Sequence, residues 1–297
     1  MMLAWELAER AYFAICLTLG RLLRSARYSN VRIVHRSGES EVRKRRLFYA
    51  PLLIWMGAPL VRILDAGVRV LPQRNWEDRE RQLSRRLRGT SIRVDEGNVL
   101  VLPFLAGRTL ATWLDDPSLE RPSRSVAIEH AVASLADFHR LGFTHGDAMA
   151  ENVVVDLDAD VAHWFDFETV HDPGRSPAWR RADDVRALLM TCLARSTSEN
   201  DAETIDLILR VYADEDVANV LATSFTRVWR RSLTFHLAQA PLSFQRCRNI
   251  SRLLRERQLE SGEGSLREAI GPAAAGECRR AGTACRHGAR RASGPSR

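Results

Sequence analysis

Three short stretches concentrate polar groups able to handle a phosphate. Residues 145–147 read His145-Gly146-Asp147, Asn152 follows five residues after Asp147, and Asp166 follows 14 residues after Asn152 within Phe165-Asp166-Phe167-Glu168. Between them, Val153–Leu157 and Val161–Phe165 read as short strands, and Asp158-Ala159-Asp160 supplies the turn of a hairpin. One hairpin is thus flanked by Asp147 and Asn152 at its entry and by Asp166 at its exit. A transferring phosphoryl group is highly charged, and divalent metal neutralises it. Mg²⁺ takes hard oxygen ligands alongside retained waters and substrate phosphates. Asn152 and Asp166 offer two such oxygens. Asp147 is near enough to orient a hydroxyl and accept its proton late, once charge has developed. The plain alternative is a loop whose carboxylates fall together by coincidence, and the joint spacing argues against it.

Lys44 is the only lysine among 44 basic residues. Arginine fills most surface roles, whereas a buried ammonium against phosphate is one place where the exchange is not neutral. The alternative is a single lysine surviving by chance in an arginine-biased chain.

Several elements must position these groups. Val31–His35 alternates like a strand, Ser37-Gly38-Glu39-Ser40 supplies a turn, and Glu41–Arg46 reads as the returning strand carrying Lys44. Asn75–Leu87 reads as a helix with Leu83 and Leu87 on one face, Asn98–Leu102 as a strand, and Ser125–Leu141 as a helix with Ile128, Val132, Leu135 and Phe138 facing a core. Residues 180–194, 202–213, 217–225 and 242–259 are helical candidates, and residues 2–27 read as an amphipathic or mostly apolar helix. From Ser261 onward the chain is Gly, Ala, Ser, Pro and Arg with few large apolar groups, the composition of a disordered tail.

The motif set resembles the protein-kinase-like superfamily. It is similar above all to bacterial sugar kinases of the lipopolysaccharide core, to aminoglycoside and choline phosphotransferases, and to their small atypical kinase relatives. Those proteins use His-Gly-Asp, then Asn five residues after the Asp, then a run such as Ile-Asp-Phe-Glu. The resemblance covers roughly residues 31–235 and is densest from 99 to 190. It implies an α+β, bilobal fold with a small mixed N-lobe (31–103, with an apolar insertion at 47–71) and a largely helical C-lobe (104–260), between an N-terminal helix (1–30) and a basic tail (261–297). It implies Asp147 as catalytic base, Asn152 and Asp166 as Mg²⁺ ligands, and His145 as a brace. Glu168, where protein kinases carry glycine, is by the same resemblance either a group supporting the metal ligands or an extra ligand itself.

By the same resemblance Lys44 holds the nucleotide phosphates, with Arg43 and Arg45 as fallbacks, and Glu80 is its helix partner, with Glu77 one turn away. Gly38 is the single glycine in the turn standing where the family has a glycine-rich loop. The adenine edge meets the backbone near Leu102–Phe104. Asp184, or alternatively Asp183, braces the loop at 145–147; ordinary carboxylates at a helix N-terminus are the bland alternative. The implied activity is ATP- and Mg²⁺-dependent phosphoryl transfer to a hydroxyl of a sugar or lipid-linked saccharide. The alternatives are a small atypical protein kinase and a kinase-fold binding module that has lost catalysis. Only 14 residues separate Glu168 from Asp183, too few for a regulated protein-docking loop.

Charge narrows the remaining classes. Residues 1–100 carry 19 basic and 10 acidic side chains, residues 101–200 carry 9 and 16, and residues 201–297 carry 16 and 11. A basic front and an acidic middle do not form the single positive footprint of a nucleic-acid binder. Five scattered cysteines without a C-x-x-C pair argue for a reducing compartment. Met1–Glu9 lacks the basic stretch of a signal peptide. The longest uncharged run, Leu47–Val61, contains two prolines and falls short of a spanning helix. These features suit a cytoplasmic protein, and a membrane-surface role at the inner face is compatible with them; the small-molecule or glycolipid acceptor is what the resemblance implies. The dispersed histidines, His130, His139, His163 and His171, read as packing residues.

Overall fold

In the computed structural model the described residues are 11, 14, 29–36, 39–52, 55, 67–225, 240, 242–243 and 245–258. The chain divides into two units, Met1–Leu254 and Arg255–Arg297. Of the second, residues 255–258 are described and are helical. Of the expected helix at 2–27 only residues 11 and 14 are described, and both are helical; the tail from 261 lies outside the described residues, as does most of the apolar stretch 47–71.

The first unit opens with strands β1 (Ser29–Arg36) and β2 (Glu39–Arg46), then β3 (Val68–Val70) and helix α1 (Gln73–Arg88). Strands β4 (Arg93–Asp95), β5 (Val99–Pro103) and β6 (Arg108–Thr109) follow, with a short helix α2 (Leu110–Asp115) and the long α3 (Arg121–Arg140). After a 3₁₀ turn at Ala150–Asn152 come β7 (Val153–Asp156), β8 (Val161–Trp164) and β9 (Thr169–His171). Helices α4 (Pro177–Leu193), α5 (Asp201–Tyr212) and α6 (Glu215–Phe225) follow, and residues 245–254 are helical as well. This is a mixed α/β architecture: a strand-rich N-terminal region and a helix-rich C-terminal one, in a coarsely bilobal layout.

Each region has its own core. The strand-rich part packs Leu71, Trp76, Ile92 and Leu100 under an antiparallel sheet of order β1-β2-β5-β4. Helix α1 supplies Trp76, Glu80, Leu83 and Ser84 as its buried face, so a carboxylate sits within an apolar stripe of i, i+4, i+7 spacing. Gly89 closes α1 in the left-handed conformation, and Arg85, Arg86 and Arg88 in the last turn complement its dipole. The larger core joins α3, α4, α5 and the β7–β8 hairpin. On α3, Ile128, Val132, Leu135 and Phe138 are all buried, as their spacing required. Helix α4 is buried on every side from Ala182 to Leu193, as expected of a central helix, and Ser176 caps it by accepting from Trp179 N at 3.2 Å.

The hairpin forms as its sequence indicates, with Val154 opposite His163 and the Asp156 carboxylate accepting the amides of Asp158 and Ala159 in its turn. Periodicity gave no sign of β3, β4, β6 and β9, which are two or three residues long. Antiparallel β3 and β9 tie the chain entering α1 to the chain leaving Glu168, and Leu71 N→Glu168 O (2.8 Å) and Asp172 N→Gly67 O (2.7 Å) extend the tie. Gly67 is needed here: its φ is +68°, and a Cβ would lie 2.3 Å from the Trp179 ring. Cys192 and Cys247 are free and buried. Among the described residues, no helix is long and apolar enough to cross a membrane.

Candidate functional site

Two clusters of polar groups meet beside the β7–β8 hairpin. The first gathers on Lys44, which β2 places on the face of the sheet toward α1. The Lys44 ammonium is buried, lies 5.2 Å from the Trp76 ring centre, and pairs with Asp166 Oδ1 and Glu168 Oε1 at 2.5 Å each. Burial alone would push its pKa down; Asp166, Glu168 and Glu80 outweigh that and raise it. Asp166 itself sits in the left-handed region, at φ +67°. That conformation is costly for a non-glycine residue.

Glu80 is beside this cluster and within electrostatic reach of Lys44, but it makes other direct contacts. It accepts from Trp76 Nε1 at 3.2 Å and from the Phe167 main-chain N–H at 3.1 Å. Burial raises the Glu80 pKa, against the pull of Lys44. Glu80 thus fastens α1 to the backbone between Asp166 and Glu168, while Glu168 takes the ion pair expected of it. Glu77, the alternative, bonds Gln73 on the outer side of α1. Arg43, one of the fallbacks for Lys44, pairs with Asp95 instead, and Arg45 is exposed.

The second cluster is the loop at 144–152. Asn152 Nδ2 donates to both the main-chain oxygen (2.8 Å) and Oδ2 (3.0 Å) of Asp147. Its own carbonyl accepts from Phe165 N at 3.0 Å, which ties the Asp147–Asn152 pair to the residue before Asp166. His145 is fully buried, and its Nε2 donates to Phe165 O at 2.9 Å. Nδ1 then accepts from Asp147 N at 3.3 Å. Burial lowers the His145 pKa to about 4, so the ring is neutral. His145 is a brace, as its place in the motif implied.

Asp184, not Asp183, holds this loop. Its carboxylate accepts from His145 N (2.7 Å), Gly146 N (2.8 Å) and His139 Nε2 (2.9 Å). Burial would raise its pKa, but His171, His139 and His145 bring it below the ordinary carboxylate range. Gly146 has φ +83°, and a Cβ there would meet the Thr169 carbonyl at 3.1 Å. Asp183 turns the other way, to His171 Nε2 (3.2 Å) and Arg186 Nη1 (2.5 Å). His171 in turn bonds Thr144 Oγ1 at 2.9 Å, and His139 Nδ1 meets Tyr212 Oη at 2.5 Å.

The expected packing role of His139 and His171 is therefore only part of their work, since both carry the loop's polar scaffold. Arg46, Ser29 and Arg79 were also missed. Arg46 bonds Leu71 O and pairs with Glu168, Ser29 Oγ donates to Glu168 Oε1 at 3.2 Å, and Arg79 donates to Thr144 O at 2.6 Å. The one signal for Arg46 was its i+2 spacing from Lys44, which places both on one face of β2.

Gly38 lies outside the described residues, but its neighbours bear on the phosphate role given to it. Arg36 and Glu39 pair at the far end of the β1–β2 hairpin, five residues from Lys44, or roughly 17 Å along a strand. That end adjoins Pro103, opposite Glu41, and Phe104 N, which donates to Ser40 O at 3.4 Å. The start of β2 at Glu39 thus leads into the lysine strand itself and lies beside the 103–104 crossing, away from the carboxylates on Lys44. Leu102 is half-buried opposite Val42 on β2. The Phe104 amide is turned toward β2 and the side chain is exposed.

Among the described residues no group of three or more His, Cys, Asp or Glu is disposed to hold a metal. The expected donor set is one amide and one acid. With Asn152 Nδ2 spent on Asp147, its Oδ1 is left for an outside partner, and Asp166 is one-third exposed. An amide and a carboxylate oxygen are of the hard donor type that Mg²⁺ takes. A separate pocket of about 390 Å³, bordered by Arg88, His130, Asp160, His163 and Trp164, contains none of these groups. Proximity to the carboxylates and lysine makes the Lys44–Asp166–Asp147 region the stronger candidate. No known protein family matches the chain, and no curated protein matches it in sequence.

Proposed function

We propose that the chain has a bilobal protein-kinase-like fold and is an ATP-dependent phosphotransferase acting on a hydroxyl of a sugar or lipid-linked saccharide. One observation carries the reading: a buried lysine on the sheet is paired with Asp166 at 2.5 Å, while Asn152 pins the Asp147 carboxylate on the adjoining loop. These are the groups phosphoryl transfer uses, reached from both regions of the fold.

Asp147 accepts the acceptor's proton, and the Asn152 bond fixes where that carboxylate stands. Lys44, freed from Asp166, places its ammonium on the nucleotide phosphates. Glu168 has Arg46 and Ser29 as further partners, so one acid of the cluster would stay fixed if Asp166 were to leave Lys44. Asn152 and Asp166 would hold Mg²⁺, which would supply neutralisation of the phosphate oxygens. A small acceptor is favoured over protein because the short segment after Glu168 is pinned at once by β9 against β3.

The test is labelled phosphate transfer from ATP into the lipid, saccharide and protein fractions of a host extract. Asp147→Asn should leave Mg²⁺-ATP affinity nearly intact and cut turnover roughly 10²- to 10⁴-fold. Label in protein alone would favour an atypical protein kinase. A non-catalytic binding module has one observation behind it: a single strand, β1, lies beyond the lysine strand β2 in the described sheet, where protein kinases place a further strand and the glycine-rich loop. Absence of both ATP binding and transfer in the unaltered protein would make that module the better account.

A further inference from the structure

Just after β2 the usual placement of apolar residues is inverted. The backbone is helical at 50–52 and again at 55. The small Ala50 is fully buried, while Phe48 is 93% exposed, Trp55 75%, Leu52 56% and Tyr49 37%. Phe48 and Tyr49 meet edge to face at 5.2 Å, so the rings form one outward cluster. Large adjoining apolar side chains held out of a core mark an interaction surface.

Charge identifies the occupant. Residues 1–61 hold ten basic and four acidic side chains, a net +6 out of +7 for the whole chain. Arg45, three residues before Phe48, is exposed, as is Arg32 on β1. No charged residue occurs from Leu47 to Val61. Phe, Tyr and Trp beside arginine are the residues that sit at the headgroup level of a bilayer, and anionic headgroups draw the basic flank. A protein pocket would also accept the rings; Lys44, Arg43 and Arg46 are paired with acids of the chain itself, but Arg32 and Arg45 remain exposed in this region and favour an anionic surface.

We infer that the exposed side chains of Phe48, Leu52 and Trp55 seat the protein on an anionic phospholipid bilayer, with these three in the interfacial layer and Arg45 against the headgroups. This does not depend on the phosphotransfer reading and is measured without nucleotide. The full chain is sedimented with vesicles of phosphatidylcholine alone or with 30 mol% phosphatidylglycerol, a proportion set at about one anionic lipid in three to develop surface potential.

Binding to the anionic vesicles should be at least about tenfold stronger and should weaken with salt. The double variant Phe48→Ser/Trp55→Ser should lose roughly tenfold or more of that binding with an unchanged melting temperature, because both side chains already face solvent. Brominated lipid should quench fluorescence in the parent protein and quench it less in Trp55→Phe. Failure of the parent protein to sediment with anionic vesicles at low salt overturns the inference. So does undiminished binding by the double variant, or equal binding to neutral vesicles. Self-association that the double variant abolishes, without vesicle binding, would assign the face to a protein contact instead.

Discussion

Replacing Asp184 by Asn tests whether the polar scaffold under the 144–152 loop is what holds it. The substitution preserves shape and removes the charge. In the parent, Oδ1 accepts from Gly146 N, and Oδ2 accepts from His145 N and His139 Nε2. His139 can adapt by moving its proton to Nδ1 and donating to Tyr212 Oη. The two main-chain donors have no such freedom. Whichever way the amide is turned, one of them faces an N–H.

The cost is one charge-assisted hydrogen bond, roughly 1.5–3 kcal/mol, together with one buried orphan donor at roughly 1–3 kcal/mol. About 4 kcal/mol is a large part of the 5–15 kcal/mol that ordinarily holds a domain folded. For a unit of this size it corresponds to a melting temperature lower by roughly 8–16 °C. Thermal unfolding gives the size of the effect, and hydrogen exchange gives its place: the amides of residues 145 and 146 should lose protection first. Because the folded pKa of Asp184 lies below the unfolded value of about 3.9, its contribution is complete above that pH and disappears as the pH falls through the folded pKa. The gap between parent and variant should therefore close only in acid. A melting temperature within about 2 °C of the parent at neutral pH, with both amides still protected, would refute the reasoning.

Two further outcomes follow from the same scaffold. Gly142 and Gly146 both have positive φ, but a Cβ at 142 meets nothing within 4 Å whereas one at 146 meets the Thr169 carbonyl; Gly142→Ala should cost about 1 kcal/mol and Gly146→Ala about 2–3 kcal/mol in denaturant unfolding, and equal costs would remove the close approach as a constraint. Nitrogen-detected NMR should find His145 neutral and protonated on Nε2 down to about pH 4, with His171 still cationic above the ordinary histidine midpoint; since the unfolded chain protonates His145 near pH 6.5, this residue withdraws stability as the pH drops from there toward 4, and a His145 midpoint near 6.5 would contradict its burial.

How much of this could be read in advance depended on the range of the signal. Helices α3 and α4 and the β7–β8 hairpin were legible because their apolar spacing or turn chemistry repeats over enough residues to exclude other structures. Asp147, Asn152 and Asp166 were singled out by their spacing about that hairpin, and the structure brings Asn152 and the chain before Asp166 together at its open end. Strands β3 and β9 left no trace, since three residues have no period, and what creates them is each other. The same applies to Glu168. Its sequence neighbours announce an acid near a metal, but its bonds to Lys44, Arg46 and Ser29 come from β1 and β2, more than 120 residues away.

The α1 helix shows why Glu80 was findable and its contacts were not. An acid at i+4 from Trp76 and i−3 from Leu83 lies on a buried stripe, and a buried carboxylate requires partners. Local spacing therefore selects Glu80 over the outward Glu77. It cannot say whether the partner is an ammonium or a peptide N–H, because both satisfy the same carboxylate. Here the β3–β9 tie decides the matter. Bonding Leu71 N to Glu168 O brings the start of α1 against the chain beyond Asp166, and Phe167 N falls to Glu80 while Lys44 falls to the acids on either side of it. The short strand pair that periodicity could not detect thus fixes which charges meet at the site.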